Sequence, residues 1–117
     1  AENAMLVADV LVTDWSTIAF DYIVLERPII YLDRKIPPRG SYPSAEKRVG
    51  GYHVKDESEL IGILEKTLTS PKLFKGERKA LIKKLYGDTL DGKATERCVN
   101  EIKKLLKKKS IDTRRIK

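Results

Sequence analysis

Residues 10–31 read VLVTDWSTIAFDYIVLERPIIY, and this stretch decides the fold. Val10-Leu11-Val12 is a short aliphatic run closed by Thr13-Asp14, the pattern of a central strand in a parallel sheet buried on both faces. Asp14-Trp15-Ser16-Thr17 then turns the chain. Ser16 and Thr17 are helix-capping residue types, whose hydroxyls satisfy orphan amides of a first turn while the amides left over favour an anion. From Ile18 to Leu25 Asp21 is the one charged residue, so this helix is apolar on nearly every side and predicts a covered position. Glu26-Arg27-Pro28 ends it, because proline cannot continue the hydrogen-bond ladder and pushes the residue before it out of the helical region. Pro28 to Leu32 reads as the next strand. The unit is β-turn-α-β with a right-handed crossover expected, and its turn lies at the carboxyl end of a strand, where open α/β sheets hold ligands.

Outward from this unit the pattern continues as α/β. Ala1 to Ala8 reads as the end of a helix feeding the first strand. Asp33 to Gly50 is a long polar connection with Pro37, Pro38, Pro43 and Gly40, and connections of this length are often functional. Arg39 is its residue best suited to a phosphoryl ligand, since a guanidinium can make a bidentate contact; Arg34, Lys35, Lys47 and Arg48 read as solubilising surface charge. Gly50-Gly51 turns into a third strand, Tyr52-His53-Val54, on which His53 is expected to sit. Asp56 then caps a helix with Glu57 and Glu59 in its first turn and Leu60, Ile61, Leu64 and Leu68 as its core stripe, stopped by Ser70-Pro71. Lys75 to Tyr86 reads as a shorter, basic helix with Ala80, Leu81 and Leu85 inward. Gly87-Asp88-Thr89 breaks it, and a last helix runs from about Lys93 to Lys108 with Cys98, Val99, Ile102, Leu105 and Leu106 inward. Ser110 to Lys117 has too little apolar content to pack and is expected to be disordered.

Composition narrows the chemistry. A chain of 117 residues suffices for one core. The expected division is one folded domain over residues 1–109 and a basic tail over 110–117. No methionine stands at position 1 and no signal peptide or membrane span is read, so the chain is taken as a piece of a longer protein. One cysteine, Cys98, excludes an internal disulfide and a cysteine zinc cluster; one histidine, His53, speaks against histidine-rich metal ligation. No metal or other cofactor is expected. The net charge of +7 suggests nucleic acid until it is located: residues 1–102 hold 16 basic and 16 acidic residues, whereas Lys103 to Lys117 hold eight basic and one acidic. A neutral body with a basic tail does not fit a folded nucleic-acid reader, but it suits attraction to an anionic membrane surface through Lys103–Lys117. A solvated helix end accounts for Lys103 to Lys109 equally well. The chain lacks G-x-x-x-x-G-K-[ST], G-x-G-x-x-G and any Ser-His-Asp set.

Three ordered pieces carry a resemblance. TDWSTIAFDYIVLERPIIYLD (residues 13–33) resembles the C-terminal signature of the CDP-glycerol glycerophosphotransferase family, which builds teichoic-acid-type polymers. Members typically read T-D-Y-S-S, then an F-D stretch and K-P-I-I-F-Y; here Trp15 replaces the tyrosine and Thr17 the second serine. Arg39-Gly40-Ser41-Tyr42 resembles the family's R-G-x-Y element, and Asp91 to Arg97 its D-G-K-A-S/T-E-R run. More distantly the layout is similar to the C-terminal domain of GT-B glycosyltransferases and of UDP-N-acetylglucosamine 2-epimerase. The resemblance implies a Rossmann-like half of a GT-B fold, with a short parallel sheet flanked by helices. It also implies transfer of glycerol phosphate from CDP-glycerol to a polyol-phosphate or lipid-linked acceptor, on the cytoplasmic face of the membrane.

Read from the residues alone, Ser16 and Thr17 suit a plain helix cap with no ligand as well as a donor diphosphate, and Arg39 a solubilising surface charge as well as a phosphoryl contact. The resemblance implies the diphosphate for all three, with Asp14 fixing the turn by accepting its amides, since a carboxylate facing a diphosphate directly would repel it. Asp21 either bonds the donor or a neighbouring loop, or lies on an exposed strip, because burial without a partner would cost several kcal/mol. The resemblance implies that the general base lies upstream, and His53 matches no catalytic histidine of the family. Two other readings stand beside this one: a nucleotide-sugar glycosyltransferase or epimerase domain, and a non-catalytic membrane-docking domain working through its basic tail.

Overall fold

The computed structural model describes residues 2–35 and 47–109. Arg39, with the Arg39–Tyr42 element, and the segment from Ser110 on lie outside the described residues. The elements are α1 (Glu2–Val7), β1 (Leu11–Thr13), α2 (Ile18–Tyr22) followed by a 3-10 turn (Ile23–Leu25), β2 (Ile29–Leu32), β3 (Gly51–Val54), α3 (Glu57–Thr69), α4 (Lys75–Tyr86) and α5 (Ala94–Lys108). The chain packs as two units, Ala1–Leu85 and Tyr86–Lys117.

The sheet is parallel in the order β1-β2-β3, with Thr13 opposite Tyr31 and Tyr31 opposite His53. The expected short parallel α/β sheet is therefore present. Its most covered strand is β2, however, with Ile29, Ile30 and Tyr31 almost inaccessible, while β1 is an edge strand among the described residues and leaves Val12 39% exposed. A short aliphatic run does not reveal which strand is flanked on both sides; pairing decides that. Gly51 is dictated by pairing too, since a Cβ there would overlap the Ile29 carbonyl.

The apolar segment after β1 is shorter as an α-helix than expected, because it tightens into the 3-10 turn after Tyr22 and stops at Glu26, which takes a left-handed φ of 56°. Ala19, Tyr22 and Ile23 form its buried side, each large side chain worth about 2–3 kcal/mol of burial. The Tyr22 hydroxyl and the Arg27 guanidinium both donate to the Ala8 carbonyl (2.9 and 3.0 Å), and Arg27 also donates to Leu6 (2.7 Å). These bonds tie the end of α1 to this unit.

Asp56 caps α3 as expected: its carboxylate accepts from the Glu59 amide (2.8 Å), and Glu59 accepts in return from the Lys55 amide (2.8 Å). Of the expected stripe, Ile61 and Leu68 are exposed, and the fully buried residue of α3 is Thr67, whose hydroxyl donates to the Ile63 carbonyl. On α4 Leu81 is buried as expected, but Ala80 is exposed and Arg78 is the most buried large side chain, 1% accessible. Arg78 donates from its Nη atoms to the carbonyls of Gly50 (3.1 Å), Leu73 (2.8 Å) and Pro71 (2.9 Å), which replace much of the water it has lost, while its buried Nε has no partner. In the second unit α5 buries none of its residues; Cys98, Val99, Ile102 and Leu105, expected inward, are exposed. Among the described residues no helix is long and apolar enough to cross a membrane.

Candidate functional site

The turn after β1 stands at the carboxyl end of the sheet, as its position after a parallel strand requires. Asp14 accepts from the Ser16 amide (3.2 Å) and the Ser16 hydroxyl accepts from the Ile18 amide (3.3 Å), so two short side chains shape the turn. Asp14 thus has the turn-fixing contact expected of it. Thr17 occupies the N-cap position of α2 but makes no side-chain cap bond. Asp14, Ser16 and Thr17 are all exposed residues. With only five residues in α2, the helix dipole contributes little, and any anion held here would depend on hydroxyls and loop amides. Asp21 is exposed on α2.

Trp15 is the anchored member of the turn. Its Nε1–H donates to the Arg34 carbonyl (2.8 Å), which ties the turn to the chain leaving β2. Against its face lies the Arg48 guanidinium, 3.9 Å from the ring centroid and 5.2 Å from that of Tyr31. Arg48 is buried, 5% accessible, in place of the solvated position that a lone arginine in a polar connection suggested. Its Nη2 donates to the Leu32 carbonyl (3.1 Å), Nη1 lies 3.6 Å from the Asp33 carboxylate, and Nε has no partner.

His53 is on β3, as the pattern predicted, and completes the cluster. It stacks on Tyr31 with ring centroids 5.0 Å apart, donates from Nε2 to the Arg48 carbonyl (2.8 Å) and places Nδ1 3.0 Å from the Asp33 carboxylate. Both nitrogens are thereby engaged in structure. Burial pushes the Tyr31 hydroxyl up to about 12 against the opposing pull of Arg48, and the hydroxyl donates to the Val49 carbonyl (2.9 Å).

Beyond Arg34 a cavity of about 290 Å³ opens at the carboxyl ends of β2 and β3, lined by Leu32, Arg34, Lys55, Asp56, Glu57 and Leu60. Arg34, read from sequence as a solubilising charge, is a wall of this cavity, and its carbonyl is the one held by Trp15. Sequence spacing had no means of showing this, since Trp15 and Arg34 meet only once β1 and β2 pair. Among the described residues no cluster of His, Cys, Asp and Glu is suited to a metal ion.

The comparisons with known proteins bear on the same residues. A family model described as CDP-Glycerol:Poly(glycerophosphate) glycerophosphotransferase matches residues 1–104. A teichoic acid poly(ribitol-phosphate) polymerase of Bacillus spizizenii strain W23 is 31% identical over 102 residues. That alignment covers 84% of this chain and 16% of the relative, so the chain spans about a sixth of that protein's length. No solved structure matches significantly. With nearly the whole chain inside the family match, the chain belongs to the CDP-glycerol:poly(glycerophosphate) glycerophosphotransferase family.

Proposed function

We propose that this chain is the donor-binding part of a glycerophosphotransferase of the teichoic-acid type, which moves glycerol phosphate from CDP-glycerol to a polyol-phosphate or lipid-linked acceptor. The observation that carries the reading is the exposed Asp14–Thr17 turn, fixed by its own side chains at the carboxyl end of β1, within the residues the family match covers. The hydroxyls of Ser16 and Thr17 donate to the diphosphate, Arg39 supplies compensating charge, and Asp14 holds the turn. Asp21, exposed beside them, accepts from a donor hydroxyl.

In the transfer an acceptor oxygen bonds to the phosphorus that carries glycerol, the bond to the bridging oxygen breaks, and CMP leaves with the added charge. Donors fixed around the diphosphate favour that charge without reorganising. The base that takes the acceptor's proton belongs to another part of the protein; His53 is already held by Asp33 and Arg48. The basic run Lys103–Lys117 faces anionic lipid at the inner surface of the cell membrane, each charge near the surface adding about 1 kcal/mol.

Titration of the full-length protein with CDP-glycerol, CDP-ribitol and UDP-N-acetylglucosamine tests the reading and identifies the polyol. Binding of a CDP-polyol in preference to the UDP-sugar, weakened at least about tenfold (about 1.4 kcal/mol) by Ser16→Ala with Thr17→Ala, is the expected result. Preference for the UDP-sugar would make the chain a glycosyltransferase domain, and binding untouched by the double variant would move the diphosphate elsewhere.

A further inference from the structure

The two bonds internal to the donor turn are long, 3.2 and 3.3 Å, and α2 begins without a side-chain cap. Asp14, Ser16 and Thr17 are all exposed, and Trp15 between them is the half-buried residue of the four. Beyond those two bonds, the turn is tied to the neighbouring chain through Trp15. Its ring is held at two places: the edge through Nε1–H to the Arg34 carbonyl, and the face by Arg48.

We infer that Arg48 is a positioning residue for the diphosphate turn, acting through the indole of Trp15; the inference rests on the donor reading above. The chemistry favours this role over that of a plain ion pair. The Arg48–Asp33 contact is 3.6 Å, beyond hydrogen-bond length, whereas the guanidinium carbon lies 3.9 Å from the indole centroid and is closed off from water. A planar guanidinium stacks on a ring in a way that a lysine ammonium does not. Tyr31 flanks the same guanidinium, and His53 holds the Arg48 carbonyl, so β2 and β3 together fix the arginine that fixes the turn. A displacement of the hydroxyls by a fraction of an ångström is enough to weaken a preorganised diphosphate site.

The test is steady-state kinetics of the full-length enzyme with CDP-glycerol, alongside thermal unfolding, for Arg48→Met, Arg48→Lys, Trp15→Leu and the Met/Leu double variant. Ser16→Ala with Thr17→Ala serves as the reference for the site itself. Arg48→Met is expected to raise the donor KM about tenfold with kcat held within about twofold, the scale of a desolvated cation–π contact. Arg48→Lys should not restore it, and the double variant should be no worse than Trp15→Leu alone. Full rescue by lysine, additive effects, or a lowered melting temperature with unchanged donor KM would overturn the inference. Trp15→Phe keeps a ring for Arg48 but loses the bond to Arg34; should Arg48→Met not fold, its expected threefold or so rise in KM carries the test, and an unchanged KM counts against it. If the wild-type enzyme responds to Arg48→Met but not to the Ser16/Thr17 double variant, the site reading fails. If it responds to the double variant but not to Arg48→Met, the site reading stands and the role of Arg48 falls.

Discussion

Arg48 and Arg78 are both almost wholly buried, and the two are buried by different means. Arg78 spends its Nη atoms on three carbonyls, those of Gly50, Leu73 and Pro71. It thereby closes the α3–α4 connection onto the residue that precedes β3. Arg48 makes one bond to a carbonyl and lies between the faces of Trp15 and Tyr31. The first pattern fixes backbone in place. The second holds a side chain beside an exposed turn, so the same guanidinium chemistry serves the fold at one position and the site at the other.

The comparison breaks most visibly at Arg78. Arg78→Met leaves carbonyls without donors, each costing about 1–3 kcal/mol, and should destabilise the protein by about 3–5 kcal/mol in urea unfolding. Donor KM of the protein that remains folded should be unchanged. If Arg78→Met instead raised donor KM as Arg48→Met does, the division between a fold arginine and a site arginine would be wrong. Gly50→Ala sharpens the point. Gly50 has φ +86°, and an added Cβ would stand 2.5 Å from Arg78 Cγ, so alanine brings both backbone strain and a clash, together about 2 kcal/mol. Because the clash disappears when Arg78 is truncated to alanine, which has no Cγ, Gly50→Ala and Arg78→Ala should be clearly non-additive.

At the Arg48 end the sensitive probe is alkaline pH. Burial raises the Tyr31 hydroxyl from its ordinary value near 10 up to about 12, opposed by Arg48. A raised folded-state value for an acid means that the folded protein holds its proton longer than the unfolded chain. The contribution is then complete below pH ~10 and is lost as pH rises toward 12, by up to about 2 kcal/mol. Tyr31→Phe should flatten stability over that interval. Arg48→Met removes the positive charge that lowers the value, so in that variant ultraviolet titration should find Tyr31 ionising at still higher pH. An unchanged titration would mean that Arg48 and Tyr31 are farther apart in solution than their 5.2 Å separation.

Much of this was legible in the residues. Val10 to Leu32 announced a strand, turn, helix and strand because proline, β-branched and capping residues act locally, and Asp56 and Ser70-Pro71 bounded α3 for the same reason. The contact of Asp14 with the Ser16 amide was legible too, since it reaches only two residues along the chain. Burial of Arg48 and Arg78 was not. A lone arginine in a polar stretch reads as solvated, and its real environment comes from partners 16–33 residues away, Trp15, Tyr31 and Leu32 for Arg48 and Gly50 for Arg78. The position of β1 at the edge of the sheet among the described residues and the exposure of Ile61 and Leu68 were hidden for a related reason. Periodicity tells which residues share a face, and packing alone tells whether that face is covered.

Arg97 gives the comparison its solvent-exposed limit, with the smallest expected effect. It meets both oxygens of Asp91 (2.9 and 2.8 Å) and donates to the Thr89 carbonyl, while Asp91 also accepts from the Lys93 amide (3.0 Å). The Lys93 amide and then Arg97 hold the Asp91 carboxyl below its ordinary range. A lowered folded-state value places the contribution above the ordinary carboxylate range near pH ~4 and removes it as pH falls through the folded value. Acidification should therefore loosen the start of α5, read as a lower protection factor of the Lys93 amide relative to its intrinsic exchange rate at each pH, and Asp91→Asn should show the same loosening already at neutral pH. Neither donor KM nor the unfolding midpoint of the Ala1–Leu85 unit should follow. An arginine in water, paired with a carboxylate, shapes one helix end; only where water is excluded does an arginine acquire the leverage seen at Arg78 and Arg48.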